Sequence, residues 1–76
     1  MPHVTIQHFP LDLAPEQRRR LADALTALLV EQLGTYPGAV SIALEPVQPA
    51  DWAGTVYEPR IAGRSELLIK TPEYRS

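Results

Sequence analysis

The sequence contains no cysteine, which removes disulfides, thiolate metal sites and thiol nucleophiles together. His3 and His8 are its only imidazoles, too few for a structural zinc site. A basic excess is also absent. Seven Lys and Arg against nine Asp and Glu leave a net charge of −2, which argues against a nucleic-acid partner. No apolar run approaches the ~20 residues needed to span a bilayer, so no membrane partner is expected either. No charged segment followed by an apolar one opens the chain, so it reads as lacking a secretory signal. With 45% hydrophobic and 21% charged residues, the composition is that of a globular domain, here expected in the cytoplasm.

What is present is short and rich in proline. Seventy-six residues suffice for one domain, 1–76, and a chain of that size buries only about 60% of its unfolded surface. Disulfides and metals being excluded, self-association is the remaining aid to stability.

Val4 to Phe9 alternates as a short strand, with Val4, Ile6 and His8 on one face and His3, Thr5 and Gln7 on the other. Pro10 stops it. Glu16 to Leu33 then runs without glycine or proline, and Leu21, Leu25, Leu28, Leu29 and Leu33 trace one helical stripe. Pro15 suits the first helical position, Glu16 the positive end of the dipole, and Gly34 the C-cap. After a turn at Tyr36-Pro37-Gly38, Val40 to Leu44 alternates as a second strand. Strand, helix and strand with short connections make a βαβ unit, an α/β fold of two parallel strands and one long helix. Two strands are not a stable sheet, so their outer edges must be completed by oligomerisation. Pro46, Pro49, Pro59 and Pro72 break the remainder into an irregular C-terminal tail. Within it, Pro49 to Trp52 suits a single helical turn and Arg64 to Lys70 a short helix.

Chemistry points first to Pro2. Initiator methionine is removed when the next residue is small, and the chain would then begin with a secondary amine at the start of a strand. An α-amino group titrates near ~8, and burial in an apolar pocket disfavours its charged form. A neutral amine poised near the working pH is an effective general base. Proline at position 2 also occurs for reasons unrelated to catalysis.

The order Met1-Pro2-His3, strand, long helix, Ser41-Ile42-Ala43-Leu44, Gln48-Pro49, Trp52 and Leu68-Ile69-Lys70-Thr71-Pro72-Glu73-Tyr74 resembles the 4-oxalocrotonate tautomerase superfamily. It is most similar to a branch of small bacterial tautomerases that act on phenylenolpyruvate. The resemblance covers the whole chain and implies a βαβ subunit assembled into dimers or hexamers, the longer tail favouring the dimer. It implies Pro2 as catalytic base, Trp52 as an aromatic wall of the pocket, and no cofactor. Better-known members add two arginines, at positions held here by roughly Asp12 or Leu13 and by Ser41. Their absence argues against dicarboxylate substrates, as in the phenylenolpyruvate branch. The substrate implied is a small-molecule enol of a 2-keto acid. The donor to its developing oxyanion is then sought among Ser41, His3 and a neighbouring subunit's Arg60 or Arg64.

Two other readings compete. Activation of water by Pro2, as in dehalogenase relatives, wants arginines that are missing. A non-catalytic oligomeric ligand-binding module of the same fold would explain their loss. Among the remaining polar residues, Arg19 and Arg20 read as a solvated helix face. His3 and His8, on opposite strand faces, cannot share a metal. Tyr57 and Tyr74 read as packing residues.

Overall fold

The computed structural model describes residues 1–75. The fold divides into two compact units: Met1–Ile6 with Leu11–Glu45, and Gln7–Pro10 with Pro46 onward.

The first unit is built around the βαβ motif. Strand β1 (His3–His8) and strand β2 (Ser41–Pro46) form a two-stranded sheet, joined by helix α1 (Pro15–Leu33). Flanking the ladder, the Ser41 N–H donates to the Pro2 carbonyl at 3.2 Å and the Val47 N–H to the His8 carbonyl at 2.7 Å. Both pairs have the same sequence offset, which only parallel strands can give. The helix starts where expected, with Pro15 at its first position and the Ala14 N–H donating to Gln17 Oε1 at 3.2 Å. It ends at Gly34, whose φ of 65° lies in the left-handed region and whose N–H bonds the Val30 carbonyl.

The apolar face of α1 is rotated from the leucine stripe read in the sequence. Leu21, Ala22, Leu25, Thr26, Leu29 and Val30 are half-buried, whereas Leu28 and Leu33 are 54% and 62% exposed. At about 100° per residue, Leu28 falls just outside the arc centred between Leu29 and Ala22. Leu33 lies within that arc but on the helix's last residue. No α1 side chain is fully buried. A gap of about 250 Å³ lined by Arg18, Leu21, Ala22, Ile42 and Leu44 separates helix from strand. The opposite face of the sheet, with His3, Thr5, Ser41 and Ala43, is exposed.

The second unit is more ordered than an irregular tail. A 3₁₀ turn at Pro49–Asp51 leads through Trp52 into a wide π-helix, Ala53–Ala62. Pro59 sits inside it. In an α-helix that proline would remove an i→i−4 bond and clash with the preceding turn; the wider winding accommodates it. The helix closes with the Gly63 N–H on the Glu58 carbonyl at 2.8 Å. A Cβ at Gly63 would lie 2.7 Å from that oxygen, so the close approach requires glycine. Ser65–Leu67 makes one 3₁₀ turn, shorter than the helix expected over 64–70.

Burial is sparse throughout. Among the described hydrophobic residues only Ala39, Val47 and Val56 fall below a tenth exposed, while Ile69 stands fully in solvent. The chain exposes 5965 Å². A folded monomer of 8.4 kDa is expected to expose about 4600 Å². The excess matches one partner's share of an obligate interface, on the order of 1000 Å² or more. The open sheet and this surplus area agree on a fold completed by association. No helix among the described residues is long and apolar enough to cross a membrane.

Candidate active site

Pro2 is half-buried at the entrance to β1, where parallel pairing with Ser41 fixes its carbonyl. Met1 before it is 98% exposed. Alternation along β1 puts His3 and Thr5 on the exposed sheet face, where Ser41 of β2 also lies. His3 Nδ1 is 2.6 Å from Ser41 Oγ, and His3 Nε2 is 3.2 Å from Thr5 Oγ1. A neutral imidazole carries one N–H and one lone pair, whereas each hydroxyl can donate or accept. The chain Thr5–His3–Ser41 can therefore hold its protons in either direction. Ser41 is bound twice in this corner, by its backbone to Pro2 and by its hydroxyl to His3. The sheet register thus sets the Ser41 backbone beside Pro2. Thr5, the third member, was missed.

Trp52 belongs to the second unit and sits in an aromatic cluster. Its ring meets Phe9 edge to face, with centroids 5.1 Å apart and planes at 85°. Its Nε1–H donates to Tyr74 Oη at 2.9 Å, and Tyr74 packs against Tyr57 at 5.8 Å. The rings of Phe9, Trp52 and Tyr74 border a cavity of about 700 Å³, with Pro49 and Ala53 as further apolar lining and Gln7 and His8 as polar members. That volume is in the range of small-molecule sites. Among the described residues, no Asp, Glu, Lys or Arg lines it. His8 Nδ1 donates to the Phe9 carbonyl at 2.7 Å, while its Nε2 is buried with no partner among the described residues. Phe9 and Tyr74 were not anticipated as pocket residues. Nothing in the sequence links Trp52 to a tyrosine 22 positions away.

The other sequence-derived candidates are peripheral. Asp12 is exposed and Leu13 half-buried, its carbonyl accepting from Arg18 Nε at 3.3 Å. Arg60 and Arg64 are exposed, and Arg64 lies 3.9 Å from Glu66 in a loose ion pair. Arg20 pairs with Glu16 one turn away at 3.3 Å, as a solvated helix face would. Among the described residues, no three His, Asp or Glu side chains cluster as metal ligands.

A parallel βαβ subunit with an open sheet and a proline leading its first strand is the architecture that the resemblance to small tautomerases implies. Comparison agrees. The family model described as "Tautomerase enzyme" matches residues 2–56. The chain is 39% identical to Tautomerase PptA of Cronobacter sakazakii, over 97% of both chains. Proteins of the same name from Escherichia coli and Pectobacterium carotovorum subsp. carotovorum are 36% and 35% identical, again over 97% of each. The chain belongs to the tautomerase family, within the 4-oxalocrotonate tautomerase superfamily, and is a tautomerase enzyme.

Proposed function

We propose that the enzyme interconverts enol and keto forms of 2-keto acids, with phenylenolpyruvate-like substrates, using the nitrogen of Pro2 as the general base. The observation that carries this reading is the position of Pro2: second in the chain, half-buried, and fixed by its carbonyl to Ser41 behind a fully exposed Met1. Removal of Met1 converts the proline amide into a secondary amine, and an amide nitrogen has no basic lone pair.

The enol of a 2-keto acid carries a hydroxyl proton one allylic step from a nucleophilic carbon. Neutral Pro2 accepts the hydroxyl proton as the C–O bond gains double-bond character. The resulting ammonium returns a proton to the carbon, giving the ketone and regenerating the amine. Electrons come from the enol itself, so the reaction needs no cofactor or metal. Charge develops on the oxygen during transfer, and a hydrogen-bond donor there lowers the barrier. Ser41, whose hydroxyl is polarised by His3, suits that role. Trp52 supplies an apolar wall for the substrate's side chain, as the family resemblance implies.

The absent arginines favour a monoacid with an apolar side chain over a dicarboxylate. Residues 1–76 act as one tautomerase domain in this reading. It works in the cytoplasm as a homodimer whose partner completes the sheet. The test is ultraviolet monitoring of phenylenolpyruvate ketonisation by the wild type and by Pro2→Ala, with intact mass confirming removal of Met1. Equal rates would take Pro2 out of the mechanism, and a retained Met1 in an active enzyme would do the same.

A further inference from the structure

Thr5, His3 and Ser41 lie within the first unit, and the two hydrogen bonds that link them differ in length: 2.6 Å at Ser41 Oγ and 3.2 Å at Thr5 Oγ1. Hydroxyl donors work at shorter range, about 2.5–3.0 Å to oxygen, than N–H donors, about 2.7–3.2 Å. The short bond is therefore the Ser41 O–H donating to His3 Nδ1, and the long one the His3 Nε2–H donating to Thr5 Oγ1. In that direction the imidazole is neutral, and the Ser41 proton is held by His3 instead of being presented to a ligand.

Protonation reverses the arrangement. An imidazolium carries an N–H on each nitrogen and no lone pair, so Nδ1 can only donate. Ser41 Oγ must then accept, and its own proton is released for another acceptor. A hydroxyl that accepts a hydrogen bond from a cation is also a stronger donor of the next one. Imidazole is the side chain that exchanges these two forms around neutral pH. Little else ionisable surrounds it. Among the described residues of this exposed face of β1 and β2 within the unit, Glu45 is the one other charged side chain. It lies four residues along β2 from Ser41, about 13 Å along the strand. Arg18 lines the gap beneath α1 with Ile42 and Leu44, on the opposite face. Along the chain the nearest titrating group is the Pro2 amine itself, once Met1 is removed.

We infer that His3 gates the Ser41 hydroxyl: neutral His3 withholds its proton, and charged His3 turns it toward the developing oxyanion of the substrate. The inference rests on the reading of Pro2 as base and Ser41 as oxyanion donor. His3 and Thr5 are then positioning residues that act through Ser41. Catalysis needs Pro2 neutral and His3 charged in the same molecule. Activity therefore rises with pH as Pro2 loses its proton and falls again as His3 loses its own.

The pH profile of phenylenolpyruvate ketonisation tests the gate. In the wild type, kcat is expected to drop about tenfold on the alkaline side, the value of one hydrogen bond to a charged group, with KM little changed. His3→Asn, whose amide does not titrate, is expected to lose that alkaline limb. Thr5→Val takes the acceptor from the imidazolium and should move the limb to lower pH, and Thr5→Ser should restore it. A limb that persists unchanged in His3→Asn overturns the gate, and one unmoved in Thr5→Val removes Thr5 from it. Nitrogen-15 correlation spectra of the two imidazoles give a readout independent of turnover, with His3 identified by the signals lost in His3→Asn. At alkaline pH His3 is expected as the Nε2–H tautomer, and the Nδ1–H tautomer overturns the inference. Pro2→Ala is assayed alongside. An Nε2–H tautomer without Pro2-dependent turnover sinks the tautomerisation reading and leaves the hydrogen-bond switch standing. Pro2-dependent turnover with an unchanged limb in His3→Asn does the reverse.

Discussion

The two units obtain their structure in different ways. The first has regular strands and a nineteen-residue helix, yet no α1 side chain is fully buried and a gap remains beneath it. The second has strand ends, turns and a wide helix, yet holds Val47 and Val56, two of the three best-buried apolar residues, and the aromatic ring pairs. Regularity and burial are separate properties here. Backbone hydrogen bonds define the βαβ motif, while side-chain packing across long sequence separations defines the aromatic unit. The polar chemistry divides the same way: Pro2, His3, Thr5 and Ser41 form a hydrogen-bonded corner in one, and a nearly apolar cavity bordered by the Trp52–Tyr74 hydrogen bond forms in the other.

Substitutions in each unit can break that contrast. The largest effect is expected from Pro2→Ala, which exchanges the secondary for a primary amine and should lower kcat/KM about 100-fold, since general bases contribute on the order of 10²–10⁴. Its stability by urea denaturation should stay within about 0.5 kcal/mol of wild type. Next comes Gly63→Ala in the second unit, expected to lose about 2 kcal/mol in the same assay. The new Cβ must push the Glu58 carbonyl from 2.7 Å, while the backbone φ of −76° is ordinary for alanine.

Gly34→Ala in the first unit has the opposite cause. Nothing lies within 4 Å of its Cβ position, but the left-handed φ of 65° costs alanine about 1 kcal/mol. If Gly34→Ala proved the costlier of the two, crowding would not be what distinguishes the second unit. Smallest is Arg20→Ala, which removes an exposed i,i+4 pair with Glu16 and should cost about 0.3 kcal/mol at low salt, vanishing in 1 M salt. A larger loss would mean that this face of α1 is covered.

The first unit was legible in the sequence because its signals are local. Alternation located both strands to within a residue or two, and Pro15 and Gly34 bracketed the helix correctly. The orientation of the helix was less legible. Leu28 counts as apolar in any periodicity, but only the packed structure shows that the buried arc turns toward Ala22 and Thr26. The candidate site was legible only in its sequence-local members. Pro2, Ser41 and Trp52 stood out by position and resemblance, whereas Phe9, Thr5 and Tyr74 acquire meaning only from partners that folding brings near. A proline inside a helix also misled: Pro59 reads as a breaker, and a wider winding absorbs it.

The parallel pair β1–β2 leaves an outer edge on each strand, so tertiary and quaternary structure are coupled by mass action. Each tenfold dilution of such an assembly weakens the folded state by about 1.4 kcal/mol per association step. Melting temperature and specific activity should then both rise with protein concentration. For so short a chain, cellular abundance becomes a determinant of whether the catalyst exists at all.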